Sequence, residues 1–301
     1  MINFFKNSLH LLNIQILLIV SCSHSQVPTF DQLHAFEYLT KQCSFGPRNP
    51  GSEGHEKCLQ YLVEELRQYA DDVVKQPFFQ AIPVTKQSVT LNNVIASFGR
   101  QGQRILLCAH WDTRPIADFD PKPENRDKPI MGANDGASGV AVLLEIARIL
   151  RQYPPPVGVD IVLFDGEDSG IEGRSDTWCL GSRYFARNKR FDYHPRFGLL
   201  LDMVGKRNLH LLVERNSDRY APELVDRVWS KAEDIGLRAF HRRLGPEMID
   251  DHLELLNVGI PTIDIIDFDY PHWHTLQDTE DKCSPESLGI VGTLLLHLIY
   301  D

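Results

Sequence analysis

The apolar positions of this chain fall into short runs divided by polar, turn-rich stretches. Residues 55–70 (HEKCLQYLVEELRQYA) place Cys58, Leu62, Leu66 and Tyr69 at helical spacing behind the turn-rich GPRNPGSEG and predict an amphipathic helix. Residues 89–98 (VTLNNVIASF) and 104–108 (RILLC) predict two strands joined by a glycine-bearing turn at 99–102. Residues 139–150 (GVAVLLEIARIL) are apolar around most of their circumference, as suits a buried helix, and Pro154-Pro155-Pro156 forbids its continuation. Residues 159–164 (VDIVLF), 197–201 (FGLLL), 208–213 (NLHLLV) and 260–266 (IPTIDII) read as further strands, and residues 222–235 as another helix. Residues 113–131 carry four prolines and many charges and predict a long surface loop, a kind of segment that often holds function. Strands alternating with helices imply an α/β three-layer sandwich, a mostly parallel central mixed sheet flanked by helices, with ligands bound beyond the carboxyl ends of the strands.

Composition narrows this picture only at the margins. A chain of 301 residues, 43% hydrophobic, can bury one full-sized core, and no shift in composition divides it, so residues 28–301 read as a single catalytic α/β domain. The formal charge of −10 makes a nucleic-acid backbone an unsuitable partner. The amino terminus differs from the rest: Lys6, then an apolar run at 16–20, then Ser21-Cys22 and a polar stretch. Residues 1–21 fit a secretory signal too short to span a membrane. The stretch LIVSC resembles a bacterial lipobox, which would make Cys22 a lipidated first residue and a membrane attachment; a plain cleaved signal and an uncleaved anchor are the alternatives. The expected location is outside the cytoplasm, periplasmic or membrane-anchored as a lipoprotein, with secretion as the other outcome. Cys43, Cys58, Cys108, Cys179 and Cys283 show no CxxC spacing, which argues against a cysteine-based zinc site and for packing roles, although one disulfide is open in an oxidising compartment.

The candidate chemistry gathers where the apolar runs stop. After VDIVLF come Asp165, Glu167 and Asp168, three acids that cannot all ionise at close quarters unless a cation sits among them. After RILLC comes Ala109-His110-Trp111-Asp112, before the buried helix Asn134-Asp135-Gly136, after FGLLL Asp202, and beyond IPTIDII Trp273-His274. Zinc accepts imidazole nitrogen and carboxylate oxygen, so Asp135, Asp168 and His274 can supply three ligands and leave a position open. On an extended backbone Glu167 points away from Asp168 and stays free as a base. Taken singly, each residue has a plainer reading: Asp135 and Asp202 as caps, His274 as a hydrogen-bonded surface residue, Glu167 as a solvated acid. Their coincidence at successive strand and helix ends favours a site.

The series AHWDTRP, GANDGASG, FDGED, LLDMVG, IDDHLELLNVGIP and WHT resembles the glutaminyl-peptide cyclotransferases, particularly the bacterial enzymes related to the animal ones, which share their fold with zinc aminopeptidases. The resemblance spans about residues 30–300. It implies Asp135, Asp168 and His274 as ligands of one zinc, Glu167 as general acid/base, Asp202 and Asp250 as carboxylates of a proton network, and Trp273 as an aromatic wall. Trp178, in the loop DSGIEGRSDTW, is implied as a second wall, against a simple role in anchoring that loop. The implied substrates are peptides or proteins with an amino-terminal glutamine, closed to pyroglutamate with loss of ammonia. Two departures stand out: Asp168 where many relatives have glutamate, and Asp264 where the animal enzymes have histidine. The rival reading is a two-zinc aminopeptidase, with His110 and Asp202 holding the second metal, Asp135 bridging and Glu167 activating water. A catalytically dead binding module on the same fold is the third reading, and the presence of every ligand and the base speaks against it.

Overall fold

The computed structural model describes Met1, residues 27–99 and residues 102–301; the signal segment, Cys22 and the middle of the 99–102 turn lie outside the described residues. Among the described residues eight strands form: β1 (Asp72–Ala81), β2 (Ser88–Phe98), β3 (Arg104–His110), β4 (Gly158–Phe164), β5 (Gly198–Asp202), β6 (Leu211–Val213), β7 (Phe240–Leu244) and β8 (Thr262–Ile266). Six of them make one sheet in the order β1-β2-β4-β3-β5-β8. β3, β4, β5 and β8 run parallel, and β1 and β2 extend the sheet antiparallel. The sheet is therefore mixed and mostly parallel at its centre, as the strand and helix alternation predicts.

Side-chain alternation explains the layers. Ile105, Leu107 and Ala109 of β3, Val159, Ile161 and Leu163 of β4, and Ile263 and Ile265 of β8 enter one core, whereas Leu106, Cys108, Val162, Phe164 and Leu200 enter another. The helices are α1 (Gln32–Cys43), α2 (Glu53–Tyr69), α3 (Ala137–Gln152), α4 (Leu180–Asn188), α5 (Arg215–Tyr220), α6 (Pro222–Asp234), α7 (Asp251–Leu256) and α8 (Pro285–Tyr300). Leu39 of α1, Leu62 of α2, Val228 of α6, Leu295 of α8 and most of α3 fill the first, larger core; Phe185 of α4 and Leu255 of α7 fill the second. Each fully buried aliphatic side chain contributes about 1.5–3 kcal/mol relative to exposure. Helices on both faces of the sheet complete the three-layer sandwich.

The predicted helices at 55–70, 139–150 and 222–235 correspond to α2, α3 and α6. Residues 208–213 depart from expectation: Asn208 takes φ +58°, the strand shrinks to β6, and β6 pairs with β7 in a separate two-stranded sheet. β1 has no counterpart among the predicted strands because it is an edge strand that bears Pro77 and buries only Phe78 well, so it lacks a two-faced apolar signature. α8 carries Gly289 and Gly292, which depress helix propensity. Gly292 is there for contact: a Cβ on it would sit 2.1 Å from the Phe30 ring. α1 starts at Asp31, whose carboxylate accepts the backbone N–H groups of Leu33 and His34. Cys43, Cys58, Cys108, Cys179 and Cys283 are all buried and free, in keeping with packing roles. Among the described residues no helix is long and apolar enough to cross a membrane.

Candidate active site

The parallel strands bring their carboxyl ends to one edge of the sheet. β3 ends in His110, β5 ends in Asp202, and β4 runs directly into Asp165-Gly166-Glu167-Asp168. The chain does not stay extended after β4, contrary to the geometry expected from sequence. Gly166 turns it at φ +76°, and Glu167 and Asp168 sit in a turn whose backbone N–H groups both donate to the buried Asp112 carboxylate, at 3.1 and 3.3 Å. A turn anchored on Asp112, rather than strand alternation, separates the two acids. Asp165 is satisfied away from them by His55 Nε2 at 2.9 Å and the Asn92 N–H at 2.6 Å.

Asp135 lies just before α3 and does not cap it. Gly136 occupies the cap position at φ +101°, where a Cβ would lie 2.5 Å from the Asp112 carbonyl oxygen, and no side chain caps the helix. The backbone here is fixed by Asp278, which accepts from the Asn134 and Asp135 N–H groups at 2.9 and 3.1 Å. His274 is held at φ +52° with Trp273 stacked on its ring, centroids 3.7 Å apart. Its Nδ1 faces Asp118 Oδ1 at 3.5 Å, and Asp118 is clamped by Arg114 at 2.8 and 2.6 Å. Such a partner on one ring nitrogen orients the other toward a metal.

Donor atoms of Asp135, Asp168 and His274 lie within 4.8 Å of one another. Asp168 Oδ1 is 3.0 Å from His274 Nε2, yet both Asp168 oxygens and Asp135 Oδ2 are buried without a hydrogen-bond partner. Buried carboxylate oxygens are otherwise nearly always paired, so atoms this close that do not bond each other are aimed at a shared point. Two carboxylates and an imidazole fit zinc with a fourth position open.

Glu167 faces the same cavity. Its Oε1 accepts the S–H of Cys179 at 3.5 Å. Burial, reinforced by Asp250, Asp168 and Asp251, pushes its carboxyl well above the ordinary range against the opposing pull of His110. Asp250 begins α7 and accepts the Asp251 N–H through Oδ1, while its Oδ2 has no partner. His110 Nε2 is hydrogen-bonded to Asp202 Oδ1 at 3.2 Å and lies 3.2 Å from Asp135 Oδ1. Burial raises the Asp202 carboxyl to about 7, with the nearby Asp250 charge outweighed in part by His110.

A cavity of about 380 Å³ is lined by Asp135, Glu167, Asp168, Asp202, Asp250, Trp178, Trp273 and His274, together with Met203, Met248, Ile249 and Phe268. The fold thus unites eight of the nine residues singled out from sequence; the ninth, His110, is buried beneath Asp135 and Asp202. Trp178 both lines the cavity and anchors its own loop. Its ring lies parallel to His274 at 6.0 Å, and its Nε1 donates to the Ile171 carbonyl within its own loop. Arg114 stacks over the same indole at 4.6 Å. Arg114, Asp118, Cys179 and Asp278 have no assigned site role in the sequence, and Asp112 is noted there only within the segment after RILLC. Asp112, within AHWD two positions after His110, carried the one available signal: an acid just past the apolar run RILLC.

Residues 93–299 match the profile of peptidase family M28. Among solved structures the chain is similar to the Bacteroides thetaiotaomicron glutaminyl cyclase bound to N-acetylhistamine, with 40% identity and a TM-score of 0.88 over 92% of this chain and 99% of that one. The same values describe its likeness to a structure from that organism named as a leucine aminopeptidase precursor. The glutaminyl-peptide cyclotransferase of Boiga irregularis is 26% identical over 287 residues, 82% of this chain and 75% of that one.

Proposed function

The chain belongs to peptidase family M28, and from that premise we propose that it is a glutaminyl-peptide cyclotransferase, an enzyme that closes the amino-terminal glutamine of peptides to pyroglutamate and releases ammonia. Within a fold shared with hydrolases, one observation supports cyclisation best: Trp273 and Trp178 line the cavity around Asp135, Asp168 and His274 in a chain 40% identical to a bacterial glutaminyl cyclase, although His110, Asp135 and Asp202 also come within 4.8 Å of one another, as a second metal would need. We propose one zinc per chain, held by Asp135, Asp168 and His274, and metal counting on the purified protein separates one ion from two. When bound there, zinc supplies Lewis-acid polarisation of the substrate's side-chain amide carbonyl.

The rest of the chemistry falls to the protein's own side chains. Glu167 takes a proton from the substrate's α-amine as that nitrogen attacks the side-chain amide carbon. The same carboxyl returns the proton to the departing nitrogen, which leaves as ammonia. A carboxyl raised above its usual range suits both directions of transfer. Cys179 fixes one Glu167 oxygen, so the other faces the substrate. Trp273 and Trp178 wall the glutamine side chain and exclude the water that hydrolysis would require. Asp250, beside Glu167, steadies the positive charge that develops on the amine.

The reading is tested by incubating the purified protein with a peptide that begins in glutamine and weighing the product. Loss of ammonia with the chain length unchanged is expected. Release of a free first residue would replace this reading with the aminopeptidase. Residues 1–21 add the proposal of an exported protein, anchored through Cys22 if the lipobox is used.

A further inference from the structure

Behind the cavity wall lies a second set of buried polar atoms that ordinary donors do not satisfy. Asp264 sits in the middle of β8, flanked by Ile263 and Ile265, which both face the larger core, so its side chain takes the opposite face. It is fully buried. Its N–H donates to Ser217 Oγ at 2.9 Å, but neither carboxyl oxygen meets an N–H or hydroxyl. The ionisable groups facing it are Asp250 and His252 from α7, Asp202 from the end of β5 and Glu214 just before α5. His252 turns Nε2 to Glu214, 3.3 Å away. Glu214 is already served by the backbone of Asn216, Ser217 and Met248 and by the Ser217 hydroxyl.

Asp250 is left as the natural counterpart. Atoms of Asp264, Asp250 and His252 come within 4.8 Å of one another, and Asp250 Oδ2 is the one oxygen of that residue without a donor. Two carboxylates cannot both stay ionised in a dry site, and a single proton between them removes the conflict. We propose that Asp264 is held as a neutral acid whose O–H donates to Asp250 Oδ2, which makes Asp264 a positioning residue for the carboxylate that lines the cavity beside Glu167. Burial and the charges of Asp250, Asp202 and Glu214 push the Asp264 carboxyl well above its ordinary range, as this arrangement requires. A buried carboxylic acid kept neutral so that it can donate has precedent in enzyme sites. The inference rests on the cyclase reading for its kinetic consequence and on geometry alone for the proton.

The test compares the zinc-loaded wild type with D264N and D264A. Asn keeps the shape and an N–H donor, so D264N should stay within about twofold of wild-type kcat, whereas D264A should lose about ten- to a hundredfold in kcat with little change in KM. Wild-type activity should fall on the alkaline side as the shared proton leaves and Asp250 is repelled; D264N, which has no such proton to lose, should keep its activity to higher pH. Independently of turnover, carbon-13 NMR of aspartate-labelled wild type should show, at neutral pH, a carboxyl carbon at the protonated position that is absent from D264N. An Asp264 carbon at the ionised position, or D264N as impaired as D264A, overturns the proposal. If D264A does not fold, the NMR signal and the D264N pH profile decide. If the wild type releases no ammonia, the cyclase reading fails while the NMR signal still decides the proton.

Discussion

Asp160 near the start of β4 and Asp168 just past its end are both buried aspartates on one short stretch of chain, and they live in opposite circumstances. Asp160 is bonded by Arg104 through two nitrogens at 2.7 Å each, by Ser97 Oγ at 2.6 Å and by the Tyr193 hydroxyl at 3.0 Å. Asp168 has no hydrogen-bond donor on either oxygen and shares its surroundings with Asp135, Glu167 and His274. The first acid ties β2, β3 and the Tyr193 segment to β4 at the amino-terminal edge of the parallel strands. The second stands at the carboxyl-terminal edge, where the proposed zinc would complete its partners. Full partnering marks a structural acid, and missing partners mark a functional one.

The largest effect that can sharpen this contrast is catalytic. Glu167→Gln is expected to cut kcat by about 10²–10⁴ while zinc content and melting temperature hold, read by ammonia release and metal analysis. Unchanged turnover would remove Glu167 from the mechanism. At the other end of β4 the effect moves to stability. Arg104→Met strands Asp160 in the interior and should cost about 3–5 kcal/mol in denaturant unfolding, with kcat/KM of the folded fraction unaltered. A loss of turnover without a loss of stability would mean that the two ends do not divide their roles.

Stripping zinc with a chelator should lower the melting temperature and make it fall further with rising pH. In the metal-free fold, Asp168 is raised by burial, with Asp135 adding to the shift and His274 opposing it. His274 would be lowered by burial alone, but Asp168, Asp118 and Asp135 outweigh it and push it to about 9. Both groups hold protons more tightly folded than unfolded. Their stabilisation is therefore present at low pH and is lost as pH climbs, first through the raised Asp168 carboxyl and finally through His274 at about 9. Asp135 is lowered, since His110, His274 and Arg114 outweigh its burial, and its contribution is already complete at the acid end of that window. Thermal melts of chelated and zinc-loaded protein across the window check this; a metal-free protein that grows more stable with pH contradicts it. The smallest effect is expected at Asp192, whose exposed pairing with Arg190 should leave both melting temperature and turnover unchanged when it becomes Asn.

The parts of the fold legible in sequence were those with strong periods. The apolar runs behind β2, β3, β4, β5 and β8 and the stripe of α2 are buried two-dimensional patterns, and such patterns survive in one dimension. β1, α4, α5, α7 and the β6–β7 pair were not legible, because they are short, exposed on one side, or defined by pairing with distant chain. The candidate site was legible as residue types at strand ends. The partners that orient it were not: Asp112 reaches across 55 residues to Glu167, and Asp278 across 143 residues to Asp135.

By itself, the sequence determined that acids and imidazoles would stand at one edge of an α/β sheet, since side-chain period and strand ends are local properties of the chain. Only the tertiary structure decided which of those acids find a donor. Asp165 goes to His55, 110 residues away, and Asp160 to Arg104; Asp168 goes to no donor, and Asp264 has only carboxylates and an imidazole for company. Whether a buried carboxylate is neutralised depends on groups brought within a few ångström by folding, and spacing along the chain does not encode that distance.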